Sequence, residues 1–380
     1  MNNKLLIIAG EASGDLHGAS LINELKKRKS DLIISGVGGD KMIAGGMDAL
    51  FHIKDMAFLG FVEVIKHIPF IKKVQNELIE HVKKENIKTV VLIDYPGFNL
   101  SIAKKFKALG IEIVYYISPQ IWAWGQHRVK KIKKLVSKML VLFPFEKKFY
   151  EKHGIEVEYV GHPLIEQIEK ADLLSRKDFF EKFNLDEGKK ILLILPGSRI
   201  HEIEKIFPKC LDAAENLCGS FNMQTVVACS ENIDANIFNP YLNNKFKIIK
   251  GFTYELFKYS EFGIIKSGTS TLEAGLFELP FIVVYYTSRL TYLIGRTLVK
   301  IKNIALVNIV AEKNIVHELI QDDVNTDNIV QKSSDIMSSS KKCKEIKSSL
   351  SELRSKLGSV GASSKAAEII LAELDAVKRN

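Results

Sequence analysis

At 380 residues and 46% hydrophobic, the chain can build two domains with separate cores, and its 26% charged residues exclude a disordered composition. Lys and Arg number 54 against 45 Asp and Glu, a formal charge of +9 that suits phosphorylated substrates or an anionic membrane surface. No arginine-rich run or nucleic-acid module accompanies that charge, so nucleic acid is not expected as a partner.

The first strand is predicted at 4–9, and its apolar run, Leu5 to Ala9, is too short for a signal peptide. Directly after it comes Gly10-Glu11-Ala12-Ser13-Gly14-Asp15-Leu16-His17-Gly18. Its glycines suit a tight turn, and Glu11, Asp15 and His17 are titratable. The spacing is not G-x-G-x-x-G, which disfavours a dinucleotide fingerprint; the plainer reading is a helix capped by Ser13 or Asp15. A second strand is predicted at 31–37. Residues 58–71 (FLGFVEVIKHIPFI) are unusually apolar and lie among Lys54, Lys66, Lys72 and Lys73. They read as a buried helix or as a membrane-facing, acyl-binding surface.

Strands at 88–94, 111–117, 138–142 and 156–160 complete the first half. Asp94 ends the apolar run Thr89 to Ile93, so its carboxylate is expected at the strand's carboxyl end, where open α/β sheets bind ligands. Apolar neighbours raise a carboxyl pKa, which makes Asp94 a candidate general base facing the crevice between domains. The alternative is a cap on a helix starting near Phe98. The stretch from Ser118 to Gly125 holds both tryptophans, Trp122 and Trp124, which fit either a sugar or acyl pocket or packing between domains. Arg128, Lys130, Lys131, Lys133 and Lys134 then form a basic run, either a solvated helix face or a contact with anionic lipid. The linker is expected at Gly161-His162-Pro163-Leu164 and the polar stretch to Gly188, separating domains 1–164 and 165–380.

In the second half, strands are predicted at 190–195, 223–229, 245–249, 262–266 and 280–286. Two of them run into the loops Pro196-Gly197-Ser198-Arg199 and Ser267-Gly268-Thr269-Ser270-Thr271, each opening a helix. Gly197 and Gly268 allow close backbone approach. The hydroxyls of Ser198, Ser267 and Thr269, first-turn N–H groups and Arg199 together suit a diphosphate. Each loop alone also reads as an ordinary helix N-cap. Glu273 is placed to accept hydrogen bonds from a ribose. Beyond Thr326 the chain reads as helical and polar, broken at Ser338-Ser339-Ser340. The last helix, 360–378, carries Ala366, Ile369, Ile370 and Leu374 at helical spacing and needs a partner surface, with the first domain as the candidate. The alternation of strands and helices predicts an α/β protein of two Rossmann-like doubly wound domains facing an inter-domain cleft.

Cys210, Cys218, Cys229 and Cys343 show no C-x-x-C spacing, which argues for a reducing compartment and against a zinc site. No D-x-D and no H-x-x-x-H pair occurs, so neither a metal nor a cofactor is expected. Leaving-group charge would then fall to helix N-termini and Arg199.

Several motifs together resemble the lipid-A-disaccharide synthase family. They are G-E-A-S-G-D at 10–15, F-L-G-F-V-E-V at 58–64, I-D-Y-P-G-F-N at 93–99, S-P-Q-I-W-A-W at 118–124 and F-P-F-E-K-K-F-Y at 143–150, with G-H-P-L at 161–164, L-P-G-S-R at 195–199 and S-G-T-S-T-L-E at 267–273. The resemblance runs in order from residue 4 to about 322. It implies a two-Rossmann-domain glycosyltransferase of the GT-B type. The expected reaction is inverting: 2,3-diacylglucosamine moves from UDP to 2,3-diacylglucosamine 1-phosphate, giving the β-1,6 disaccharide 1-phosphate and UDP. Lipid substrates imply peripheral attachment to the cytoplasmic face of the inner membrane, with a homodimer left open.

By position, Asp94 matches the family's general base, with Glu11, Asp15 and His17 as the alternatives, and Arg199 matches the arginine on the diphosphate. Asn308 resembles a donor-site asparagine, followed by Glu318 and Gln321, read as helical. Glu11, Ser13, Gly14, Asp15, Trp122 and Trp124 are carried over to the acceptor side. The chain departs from the family at Leu306-Val307-Asn308, where Leu-Pro-Asn is common, and at Gly97, where relatives carry a second acid. A peptidoglycan N-acetylglucosaminyltransferase or a UDP-N-acetylglucosamine 2-epimerase would share the nucleotide loops but not G-E-A-S-G-D together with S-P-Q-I-W-A-W. A non-catalytic nucleotide-sugar or lipid binder is expected to lack Asp94 or Arg199, and both are present.

Overall fold

The computed structural model describes residues 3–56, 67–123, 125–231, 233–241, 246–288, 292 and 302–376. The chain divides into two units, Met1–Glu166 with Leu357–Asn380, and Gln167–Lys356.

The first unit is a parallel sheet of seven strands. They are β1 (Lys4–Ala9), β2 (Ile33–Gly38), β3 (Asp48–His52), β4 (Thr89–Ile93), β5 (Glu112–Tyr116), β6 (Lys138–Val141) and β7 (Glu158–Tyr159), in the order β3-β2-β1-β4-β5-β6-β7. β4 is buried at every residue and β1 at all but its first, as expected of strands covered by helices on both faces. The helices that matter here are α1 (Ala12–Arg28), α2 (Asp40–Ala44), α3 (Ile68–Lys84), α4 (Pro96–Ala108), α5 (Val129–Leu135) and α6 (Pro144–Glu151). Gly36 of β2 has φ +147, and a Cβ there would sit 1.9 Å from the Ile7 carbonyl oxygen of β1, so only glycine fits this pairing.

The second unit repeats the plan with six parallel strands. They are β8 (Lys190–Leu195), β9 (Met223–Cys229), β10 (Phe246–Lys250), β11 (Ser260–Lys266), β12 (Phe281–Tyr285) and β13 (Glu318–Ile320), in the order β10-β9-β8-β11-β12-β13. Around it lie α7 (Ile200–Phe221), α8 (Ser270–Leu276) and α9 (Leu306–Ala311). Ile203, Ile206, Phe207 and Cys210 of α7 pack with Leu192, Ile194, Phe262 and Ile264 in one apolar core.

Every strand predicted from sequence is present within a few residues of its expected bounds. The two strands without a prediction, β3 and β13, are edge strands: β3 has no fully buried residue and β13 is only three residues long, so neither leaves a long apolar run. Most of the apolar stretch at 58–71 lies outside the described residues; from Ile68 onward it is the start of α3. The serine break separates the helices Thr326–Met337 and Ser340–Leu357.

The C-terminal helix Ala362–Ala376 belongs to the first unit and packs on α1, burying Ala362, Ala366, Ala367, Ile370 and Leu374. Its start is fixed by the buried Glu166, whose Oε1 accepts from the Gly361 and Ser363 N–H groups at 2.9 and 3.0 Å. Replacing Glu166 by Ala leaves both donors uncapped, at a cost of about 1–3 kcal/mol. Urea unfolding should show the midpoint fall accordingly; an unchanged midpoint would remove this contact from the account.

Candidate functional site

In a doubly wound sheet, ligands bind beyond the carboxyl ends of the strands where strand order reverses. Here the reversals lie between β1 and β4 and between β8 and β11. Each pair ends in register, Ala9 beside Ile93 and Leu195 beside Ile265. The loops that leave these strands begin at Gly10, Asp94, Pro196 and Ser267. All four segments singled out in sequence around Glu11, Asp94, Arg199 and Gly268 therefore sit at the two reversal points.

At the end of β4 the chain turns sharply. Asp94 and Tyr95 are both left-handed, with φ of 41° and 46°, and α4 starts at Pro96, whose fixed φ and missing N–H suit a first helical position. The helix thus begins two residues before the expected Phe98, and Asp94 does not cap it. The half-buried Asp94 donates its N–H to the Tyr116 carbonyl at 3.2 Å. Its own carbonyl accepts from the Tyr115 hydroxyl at 2.6 Å and from Asn99 Nδ2 at 2.8 Å. Tyr95 lies over Gly10: a Cβ on that glycine would meet the ring at 2.2 Å. Burial, reinforced by the negative charge of Glu11, pushes the Asp94 carboxyl up to about 7.

The neighbouring acids and histidine are placed differently. Glu11 is exposed at the N-cap of α1, and neither Ser13 nor Asp15 caps that helix. Asp15 is buried and accepts backbone N–H groups of Gly39, Lys41 and Met42 at 2.7, 3.2 and 3.0 Å, so its carboxylate holds the start of α2. Ser13 is half-buried in the first turn of α1, and Gly14 beside it is buried against Ala9. His17 is buried edge-on to His162, and burial brings it down to about 4, so it is neutral at pH 7. Trp122 is also buried: its Nε1 donates to Glu146 Oε1 at 3.2 Å and its ring meets Phe145 edge-on. Glu146 in turn accepts from the Leu142 and Phe143 N–H groups. Trp122 is therefore a packing residue of its loop, while Trp124 lies outside the described residues.

In the second unit, Gly197 has φ +127 and leads to the exposed Ser198 and the half-buried Arg199, the N-cap of α7. The Arg199 guanidinium lies 3.5 Å from Glu202 Oε1, and Lys266 Nζ lies 2.7 Å from the same oxygen. Two cations and a helix N-terminus thus surround one buried carboxylate, leaving the loop net positive. The second loop keeps fewer free hydroxyls than its composition suggests. Ser267 Oγ donates to the Ile304 carbonyl at 3.1 Å and Thr271 Oγ1 to that of Gly268 at 2.8 Å. Thr269 is exposed and Gly268 and Glu273 are half-buried at the start of α8. Glu273 also lies close enough to help burial raise the Tyr254 hydroxyl pKa.

Asn308, Glu318 and Gln321 form a scaffold rather than an open surface. Asn308 Oδ1 accepts from the Ile315 and Val316 N–H groups, and its Nδ2 donates to the Val316 carbonyl and to Glu318 Oε1. Glu318 further accepts from the Ile304 and Ala305 N–H groups. Gln321 pairs both ends of its amide with the Thr287 backbone, at 2.7 and 2.9 Å. Glu318 and Gln321 are not helical, contrary to the sequence expectation: Glu318 opens β13 and Gln321 begins a 3-10 turn with φ +56. Leu306 to Asn308 starts α9 instead of a proline turn.

Four residues beside the candidates have no role in the sequence reading: Asn99 and Tyr115 beside Asp94, and Glu202 and Lys266 beside Arg199. Asn99 lies inside the motif at 93–99, and Glu202 carries the signal of an acid in the first turn of a helix. Among the described residues, no group of three or more His, Cys, Asp or Glu could hold a metal ion, and no helix is long and apolar enough to cross a membrane.

Comparisons with known proteins agree with this layout. Residues 5–373 match the family described as Lipid-A-disaccharide synthetase. The Lipid-A-disaccharide synthase of Myxococcus xanthus is 36% identical over 376 residues, 97% of either chain. That of Syntrophus aciditrophicus is 38% identical over 380 residues, 98% of either chain. Solved structures share the fold at low identity. The S. aureus MnaA–UDP co-structure has a TM-score of 0.70 at 14% identity, covering 98% of this chain and 97% of that one. The UDP-GlcNAc 2-epimerase from Neisseria meningitidis bound to UDP-GlcNAc has a TM-score of 0.69 at 14% identity, covering 97% and 100%. The near-complete match at 36–38% identity, on a pair of doubly wound sheets, decides the matter: this chain belongs to the lipid-A-disaccharide synthase family and is a glycosyltransferase of lipid A disaccharide synthesis.

Proposed function

We propose that the enzyme moves 2,3-diacylglucosamine from UDP to the 6-hydroxyl of 2,3-diacylglucosamine 1-phosphate, with inversion at the anomeric carbon. Asp94 takes the hydroxyl proton as the O6–C1 bond forms. The bond from C1 to the UDP oxygen breaks, and UDP leaves with the electron pair. The observation that carries this reading is the Asp94 carboxyl itself, at a sheet reversal point and raised to about 7, where a general base is half ionised at neutral pH. Glu11, exposed beside it, and Ser13 and Gly14 fit the acceptor side.

The departing diphosphate takes its neutralisation from Arg199, the 197–199 and 267–269 loops and their helix N-termini. Glu273 accepts from the ribose, and Asn308, Glu318 and Gln321 support the donor site from below through their backbone hydrogen bonds. No metal or cofactor is assigned a role. Attachment to the cytoplasmic face of the inner membrane is supported by α5, whose Lys130, Lys131, Lys133 and Lys134 are all exposed while Val129 and Ile132 are buried.

Incubating the enzyme with both lipid substrates in mixed micelles should yield the disaccharide 1-phosphate and UDP in equal amounts by mass spectrometry. Release of UDP without disaccharide would refute the transfer. Asp94→Asn should lower kcat by roughly 100-fold or more while UDP affinity stays within about twofold. In the wild type, kcat/KM should rise with pH to a plateau with a midpoint of about 7, since the base must lose its proton. That rising limb should vanish in the variant, and its persistence would assign the base elsewhere. Arg199→Ala should weaken UDP binding about 10-fold or more by calorimetry; unchanged affinity would contradict its diphosphate role. Changing Lys130, Lys131, Lys133 and Lys134 to Ala should cut binding to anionic phospholipid vesicles by about fivefold per lysine at low salt. Salt-independent binding that survives the change would contradict the basic face as the contact.

A further inference from the structure

We propose that Tyr115 and Asn99 are positioning residues for transfer, acting only through Asp94. The proposal rests on the reading of Asp94 as the base. Two consecutive left-handed residues that are not glycine persist only where surrounding contacts over-determine them. The contacts that do so here converge on one atom, the Asp94 carbonyl oxygen. Tyr115 stands on β5 in register with Leu92 of β4, and its hydroxyl reaches along the strand to that oxygen at 2.6 Å. Asn99, in the first turn of α4, sends Nδ2 back to the same oxygen at 2.8 Å and to the Ile93 carbonyl at 3.1 Å. Both side chains are fully buried, so neither reaches solvent or a lipid.

Asn99 Oδ1 makes no hydrogen bond among the described residues. A buried acceptor left unpaired carries a cost, so what Asn99 contributes here comes from its donor end. With its carbonyl pinned from β5 and from α4, Asp94 can rotate about neither flanking backbone bond without losing two hydrogen bonds. The direction in which the Cα–Cβ bond of Asp94 leaves the strand end is therefore fixed, and with it the space its carboxyl can sample. Misplacement of a reacting group by about 1 Å costs on the order of 100-fold in rate. Loss of one of two pins should cost less than that.

Tyr115→Phe keeps the ring in place and removes one pin. We expect kcat to fall about 10-fold, with UDP affinity by calorimetry unchanged. Asn99→Ala, which removes the other pin, should fall at least as far. The decisive comparison is in the Asp94→Asn background, where Tyr115→Phe should cause no further loss. Wild-type kcat in Tyr115→Phe and Asn99→Ala would overturn the positioning role while leaving a slow Asp94→Asn, and so the base, intact. An equal loss from Tyr115→Phe with and without the Asp94 carboxylate would also overturn it. Wild-type turnover in Asp94→Asn would overturn the base and the positioning role together.

Discussion

The turn that ends β4 is the constraint on which the first unit's chemistry depends. A strand that simply ran into α4 would carry Asp94 into the helix's first turn, where its carboxylate would serve as a cap. Two left-handed residues, each costing about 1–2 kcal/mol, hold it out of that role. The cost is offset from three sides: by Tyr115 of β5, by Asn99 of α4, and by Gly10, which leaves room for the Tyr95 ring above the end of β1. Burial at this turn raises the carboxyl's pKa, and the in-register ending of β1 and β4 brings Glu11 beside Asp94 to raise it further.

The second unit solves the opposite electrostatic problem. Its reversal point gathers positive charge, with Arg199, Lys266 and the start of α7 around a single carboxylate. Glu202 is buried, and an unpaired buried carboxylate would be expensive, so its two cations are held close by it. Arg199 keeps 40% of its side chain exposed while Lys266 keeps 15%, so Arg199 is the more accessible of the two cations, as the proposed diphosphate contact requires. The hydroxyls of the second loop play a different part, tying the loop to the chain around Ile304 and Gly268.

What was legible in the sequence followed from burial. Parallel strands covered on both faces need unbroken apolar runs, so β1, β4, β8 and β11 announced themselves, and the loops after them located both reversal points. β3, with no fully buried residue, and β13, with three residues in all, leave no such run. Side-chain commitment was equally hidden. Asp15 reads as a titratable acid or a cap of its own helix, yet backbone N–H groups at the start of α2 claim it; Trp122 reads as either a pocket wall or a packing residue, and a buried glutamate holds its indole. Asn308, Glu318 and Gln321 were read as lining a ligand, and their hydrogen bonds instead stitch α9, β13 and the end of β12 together. Tyr115 gives no signal, and Asn99 is only the last residue of a motif, because a tyrosine in a buried strand and an asparagine in a first helical turn are unremarkable until the carbonyl they share is seen.

The central claim is that the fold raises and aims one carboxyl, that of Asp94. A titration of the aspartate side-chain carbons by 13C NMR, comparing wild type with Asp94→Asn, measures this directly. The resonance absent from the variant should titrate with a midpoint of about 7. A midpoint near the ordinary aspartate value of about 4 would contradict the account.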